Sequence, residues 1–218
     1  TQPEGTPPMA PVLIVSVLLA TALTPAPNDQ DRLQACLGAI QDDAEEAYED
    51  ALTWRHQGGG WPAEHCVSLA LIALGQDAPG ALRLREAAID ADMASDLSRA
   101  IMLSQSGDAF LAAEEYDQAL ISFTAGLDFA PDDAGLLSGL ARTHLALEDF
   151  AAAEDAASRA LSRSDASPSL WRLRAEARQG LQAYDEALSD IETARALAPD
   201  DIDILVLRGR IIDARRTG

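Results

Sequence analysis

Lysine is absent from this chain of 218 residues, aromatic residues make up 5% of it, and cysteine occurs twice. Without lysine, the 16 basic residues are all arginines set against 36 acids, for a net charge of -20. No basic stripe exists to release counterions from a phosphate backbone, apart from a short arginine-bearing tail between Arg208 and Arg216, so nucleic acid is not expected as a partner. The acidity reads as a solvated surface that keeps a long helical protein soluble. Ala and Leu dominate an apolar fraction of 48%, and with so few aromatics they favour closely packed helices over a sheet. The expected class is all-α. Absence of Lys with abundant Ala and Arg suggests a GC-rich bacterial genome.

The residues that carry chemistry are equally sparse. Two cysteines without a CxxC pair, and His56, His65 and His144 without ligand spacing, do not make a metal site. His65 and Cys66 are neighbours on a helix and point about 100° apart, so they do not face each other as base and nucleophile. Gly58 to Gly60 lack the following Lys-Ser/Thr of a phosphate cradle and read as a loop. The acid pairs Asp42–Asp43, Glu45–Glu46 and Asp132–Asp133 fall at helix starts or turns, where they cap donors and complement the dipole. No catalytic residue, metal or cofactor is expected, and the chain does not read as an enzyme.

From Met9 to Leu23 runs an apolar stretch, closed by Pro25 and Pro27, that resembles a signal-peptide core. At about 1.5 Å per helical residue it falls short of a roughly 30 Å hydrocarbon layer. Ala20 and Ala22 offer a cleavage site, although a basic n-region is missing. A cleaved signal and a retained membrane anchor both remain open, and both place the chain in the periplasm or on the membrane facing it.

The second half repeats. Tyr116, Phe150 and Tyr184 recur at a spacing of 34 in YDQAL, FAAAE and YDEAL. Thirteen residues before each ring stands a large apolar group (Leu103, Leu137, Trp171), and nine before a small one (Gly107, Ala141, Ala175). Three after stands Ala119, Ala153 or Ala187; ten after, Gly126, Ala160 or Ala194; fifteen after, Pro131, Asp165 or Pro199. Small residues at fixed places let two antiparallel helices approach, and the large ones fill the space beside them. This pattern resembles the tetratricopeptide repeat family, most closely from Ala183 to Asp201. Arg174 and Arg178 depart from it, standing where the family has apolar residues, and are expected to weaken packing locally.

The resemblance implies a right-handed α-solenoid of antiparallel helix pairs. Helices are expected near 30–41, 43–57, 62–74, 79–92, 96–113, 116–129, 134–147, 150–163, 168–181, 184–197 and 202–215. The chain divides into a signal-like or anchor segment (1–29), two degenerate repeat-like hairpins (30–95), three tetratricopeptide repeats (96–201) and a capping helix (202–218). Arg208, Arg215 and Arg216 would give that cap a polar outer side. In the degenerate half Tyr48 and Ala78 serve as anchors, with Ala51 and Ala81 three after and Gly58 and Ala88 ten after. Ala39 fits nine before Tyr48, but Leu69 is too bulky for that place ahead of Ala78. Cys36 and Cys66 each stand twelve before an anchor, on the same stripe of adjacent first helices, which suggests a structural disulfide, with buried free thiols as the alternative.

Carrying the family's concave groove onto this sequence places Ser104, Ser138, Arg172 and Val206 in one row, and Asp108, Arg142, Glu176 and Arg210 in the next. Leu111, Leu145 and Gln179 form a third. The resemblance implies a protein or peptide partner held in this groove. The family's carboxylate-tail clamp uses Lys and Asn, which these rows lack, although Arg142 and Arg172 could hold one acidic group. Two functions fit: an envelope scaffold or assembly factor, or a structural accessory subunit fixed in a membrane complex by its N-terminal segment.

Overall fold

The computed structural model describes residues 28–163 and 167–217, so the apolar stretch from Met9 to Leu23 and the turn residue Asp165 lie outside the described residues. The described residues form helices only: α1 (Asp29–Asp42), α2 (Ala44–His56), α3 (Gly60–Ala73), α4 (Asp77–Asp90), α5 (Asp96–Ala112), α6 (Tyr116–Phe129), α7 (Ala134–Ala146), α8 (Phe150–Leu161), α9 (Pro168–Gly180), α10 (Tyr184–Leu197) and α11 (Ile202–Thr217). Each expected helix is present. The starts of α3 and α4 come two residues earlier than read, because Pro62 and Pro79 stand inside the first turn, where a missing N–H costs nothing, and not at its first position.

Neighbouring helices pair as α5 with α6, α7 with α8 and α9 with α10, while α5 touches α7, α7 touches α9 and α9 touches α11. This is an α-solenoid of stacked helix pairs. The tight turn inside each of the three regular pairs is made by a residue in the left-handed region: Glu114, Glu148 and Gln182, at φ 59°, 58° and 62°. Their spacing is again 34. Acidic and amide caps start the helices as expected, with Asp43 Oδ1 accepting from the Glu45 and Glu46 amides at 3.0 Å and Asp133 Oδ1 from Leu136 at 2.8 Å.

The packing depends on residues that leave room. Phe123 of α6 is fully buried, with its ring against both Gly107 of α5 and Gly139 of α7. A Cβ on Gly107 would come within 2.6 Å of that ring. Further along, Ala153, Ala157 and Ala160 of α8, and Ala187 and Ala194 of α10, are fully buried at the corresponding close approaches.

The degenerate half follows a shifted register. Gly75, at φ 77°, stands two residues before α4 just as Glu114 stands two before α6, so the anchor of this pair is Asp77 and not Ala78. The small residue nine before it is then Ser68, fully buried, and a Cβ on Gly80 would meet the Ser68 carbonyl oxygen at 2.7 Å. Leu69 does not occupy the close approach after all. The first pair departs further. A single residue, Asp43, joins α1 to α2, the buried face of α2 is formed by Ala47, Ala51 and Trp54, and Gly58 lies in the loop beyond that helix. Ala39 is exposed, so the Tyr48 register does not hold.

Cys36 and Cys66 nevertheless form a disulfide, with Cα atoms 6.1 Å apart, because α1 lies directly against α3. Trp54, Val67 and Leu71 pack around this staple.

Arg174 and Arg178 do not weaken their repeat in the way expected. Both turn inward onto Asp190, whose side chain is 4% exposed: Arg174 donates through Nε and Nη2 at 2.8 Å each, and Arg178 through Nη1 at 2.7 Å. Arg178 also donates to Glu154 at 2.8 Å, and the Arg174 guanidinium stacks 4.8 Å from the Trp171 ring centre. The network ties α8, α9 and α10 together with polar bonds at positions where the family uses apolar contacts.

A correction also applies to α11. Its outer side is mixed and not simply polar: Ile202, Leu205, Val206 and Ile212 are exposed by 73%, 45%, 54% and 40%, alongside exposed Arg210, Asp213, Arg215 and Arg216. Ile204, Leu207 and Ile211 take the buried side, and helical spacing puts the remaining aliphatic residues opposite them. The arginines lie on the flanks, Arg208 on Glu192 and Arg215 on Asp185.

Two outcomes are expected from denaturant unfolding. Asp190→Ala leaves two arginines without their buried counter-charge and lowers stability by about 3–5 kcal/mol, whereas Asp108→Ala at an exposed pair changes it by no more than about 1 kcal/mol. Replacing both Cys36 and Cys66 by Ala removes closure of a loop with sequence separation 30 and costs about 3–4 kcal/mol.

Candidate partner-binding groove

The first helices of the stacked pairs present the groove rows. Ser104, Asp108 and Leu111 lie on α5; Ser138, Arg142 and Leu145 on α7; Arg172, Glu176 and Gln179 on α9; Val206 and Arg210 on α11. The serines, Arg172, Glu176 and Gln179 are half-buried, while Asp108, Arg142, Val206 and Arg210 are exposed. Leu111 and Leu145 are half-buried and pack against the central core cluster, where they fill the space between repeats.

The charged row satisfies itself. Its signs alternate from repeat to repeat, Asp108, Arg142, Glu176, Arg210, and neighbours pair: Arg142 Nη2 donates to Asp108 Oδ1 at 2.7 Å, and Arg210 Nη2 stands 3.7 Å from Glu176 Oε1. Arg172 adds a contact from the adjacent row at 3.5 Å to Glu176 Oε2. Each groove arginine is thus already engaged by a carboxylate.

At the α5 end the groove opens onto an apolar shelf. Leu97 and Ile101, exposed by 66% and 44%, line a recess of about 250 Å³ with Ala100, Ser104, Gln105 and Asp133. Sequence reasoning missed this pair, although the signal is present: Leu97, Ile101, Ser104 and Asp108 follow the spacing of a single helical face. The rows derived from the repeat exclude them because the places 34 and 68 residues after Ile101 hold Gly135 and Ser169.

A larger recess of about 400 Å³ lies at the other end of the array, between α1 and α2, lined by Arg32, Ala35, Ala47, Trp54 and the two bonded cysteines. Arg32 stacks on Trp54 at 4.6 Å. Among the described residues no cluster of three or more His, Cys, Asp or Glu side chains is placed to hold a metal ion, and no helix is long and apolar enough to cross a membrane.

Comparison with known proteins bears on this architecture. Residues 110–177 match the model of the tetratricopeptide repeat family. RNA polymerase II-associated protein 3 of Mus musculus is 29% identical over 108 residues, which is 50% of this chain and 16% of that protein; the Homo sapiens protein is 28% identical over the same extent. The chain therefore spans less than a fifth of the length of these curated relatives. Among solved structures, the first TPR domain of the human RPAP3 protein superposes with a TM-score of 0.53 at 26% identity, covering 54% of this chain and 93% of that domain. The first TPR of Spaghetti (RPAP3), solved bound to the HSP90 peptide SRMEEVD, gives 0.52 at 26% identity over 54% of this chain and 94% of that one. MamA 41-end from Desulfovibrio magneticus RS-1 extends the likeness to 72% of this chain and 88% of its own length, with a TM-score of 0.63 at 17% identity, and shows the shared fold alone. The tetratricopeptide likeness is thereby supported for the regular half of the chain.

The corrected register also carries the groove onto α3, where His65 stands twelve residues before Asp77, the place Ser104 holds before Tyr116. His65 is buried, and its Nε2 donates to Gln105 Oε1 at 2.7 Å, bridging α3 to α5. Nδ1 has no partner among the described residues. Burial holds the imidazole below its ordinary value of 6.5, and the Gln105 bond opposes that shift in part. A pKa depressed in the folded state means that the unfolded chain takes the proton first. Its stability cost is therefore absent above the unfolded pKa and grows as pH falls through it. Lowering the pH from about 7.5 to about 5.5 is expected to lower the urea midpoint, and His65→Gln to flatten that dependence, as read by unfolding curves at matched ionic strength.

Proposed function

We propose that this chain is a protein–protein interaction module that holds an amphipathic segment of a partner along the concave face of its first helices. The observation that carries the reading is the combination of a self-paired charge row with an open apolar shelf at Leu97 and Ile101. A segment anchored by apolar side chains on that shelf can cross the alternating row with charges of both signs. An acidic carboxyl-terminal tail fits this groove poorly, since Arg142, Arg172 and Arg210 would have to leave Asp108 and Glu176 to meet it. The HSP90 peptide bound by the first TPR of Spaghetti supports a peptide or protein partner in general terms.

The setting we propose is the bacterial cell envelope, with the chain acting as a scaffold or assembly factor in the periplasm or at the membrane facing it. Two features support that setting: the signal-like stretch from Met9 to Leu23 and the Cys36–Cys66 disulfide, which persists in oxidising compartments. Attachment to a membrane complex as an accessory subunit, through the N-terminal segment, is the second reading. It rests on the same apolar stretch if that stretch is retained.

Capture from native envelopes after mild cross-linking tests the groove. Leu97→Asp with Ile101→Asp is expected to lose the partner that wild type retains, and Ile121→Asp, at an exposed position of α6, to keep it. Retention of that partner by the folded groove variant would contradict the assignment.

A further inference from the structure

Around the corner from α4 to α5 a large apolar side chain stands in solvent at every fourth residue: Ile89, Met93, Leu97 and Ile101, exposed by 51%, 92%, 66% and 44%. The last two form the shelf, and Met93 precedes Leu97 by four residues, a length of chain that spans at most about 14 Å. The corner itself is held. Ala91 is buried on one side of Met93 and Ala94 packs against the core on the other, while the amides of Asp92 and Ala94 donate to the Asp90 and Ala91 carbonyls at 2.9 Å each. Arg99 closes the end of α4, with Nε on the Ala88 carbonyl at 2.8 Å and Nη2 on that of Ile89 at 2.6 Å. With its neighbours anchored, Met93 is left as the outward residue of the turn.

We infer that Met93 is a site of oxidation by hydrogen peroxide, and that its conversion to the sulfoxide removes an apolar contact from the edge of the shelf and releases the partner held there. The release rests on the reading of Leu97 and Ile101 as the partner's anchor. In the step itself the thioether sulfur attacks one peroxide oxygen, so that an S–O bond forms as the O–O bond breaks. The departing hydroxide takes the proton of the transferred oxygen and leaves as water; sulfur gives up two electrons and the peroxide gains them. Hydrogen peroxide is uncharged, so a net charge of -20 does not keep it away.

A second methionine in the same part of the array gives the contrast. Met102 of α5 is fully buried beside Leu84 and Leu103, where peroxide reaches the sulfur only if the core opens, and where a sulfoxide would break the packing. Met93 makes almost no contact within the fold, so a polar sulfoxide there alters the surface and leaves the fold intact. An unbranched, flexible thioether also suits the edge of a binding surface, since it adapts to the side chains laid against it until oxidation makes it polar.

The test treats the full chain with hydrogen peroxide, removes the excess with catalase, maps the sulfoxides by mass spectrometry and offers the product to untreated native envelopes for capture after mild cross-linking. Met93 is expected to oxidise at least about tenfold faster than Met102, with the urea midpoint unchanged. Oxidised wild type is expected to retain on the order of tenfold less of the partner that untreated wild type holds. Met93→Leu, which keeps an apolar side chain without the sulfur, should hold that partner through the same treatment. Met93→Gln, which places an amide at the same reach, should lose it untreated. Equal oxidation of the two methionines, or a urea midpoint that falls as Met93 is oxidised, overturns the inference. So does oxidised wild type that keeps the partner while Leu97→Asp with Ile101→Asp loses it, and in that case the shelf reading survives. If that double variant keeps the partner as well, the shelf reading fails and the inference falls with it.

Discussion

Close approach between paired helices at small residues is the constraint on which the rest of this molecule depends. Phe123 reaches full burial because Gly107 and Gly139 leave room for its ring on two helices at once. Each repeat then has a fixed spacing to the next, and first helices fall in register. That register is what lines up residues 34 apart into rows along one face. A bulky side chain at Gly107 or Gly139 would separate the helices and dissolve the rows together with the core.

The polar interior follows the same geometry with different chemistry. Where the array would ordinarily use apolar contacts, α9 places Arg174 and Arg178 around Asp190, and the pair on α5 and α6 buries Ser106 and Ser122 at 2.9 Å from each other, with Ser106 also donating to the Ala81 carbonyl at 2.7 Å. Such bonds are directional, and their partners are lost if a repeat slides by one residue. On the groove face, alternating charges pair across neighbouring repeats at exposed positions, where each pair is worth little. They leave the arginines engaged, and the proposed recognition therefore rests on the apolar shelf beside them.

Much of this was legible in the sequence, for a physical reason. The 34-residue period reports packing between neighbours, and neighbour packing is nearly all that a solenoid contains. The regular helix pairs from α5 to α10 and the cap at Asp133 follow from it, whereas Cys36 meets Cys66 although the anchors that set them on one stripe, Tyr48 and Ala78, do not hold. The register of α4 was not legible, because Gly75 reveals the anchor only through its left-handed backbone, and Ala78 offers a plausible alternative one residue away. The first pair was misread because Tyr48 imitates a repeat ring on a helix that buries Ala47, Ala51 and Trp54 instead. Arg174 and Arg178 looked like lost packing because Asp190, their common partner, lies 16 and 12 residues further along the chain. Leu97 and Ile101 escaped because they break the repeat, and recurrence carries no trace of what occurs once.

The central claim is that a partner lies along the concave face, and a photo-activated cross-linking side chain at Ile101 tests it most directly. Placed there in the full chain within its native cells, it is expected to yield a discrete adduct with one partner protein, while the same group at Ile121 on α6 yields none. Adducts from Ile121 and silence from Ile101 would contradict the account, and would move recognition to the second helices of the array.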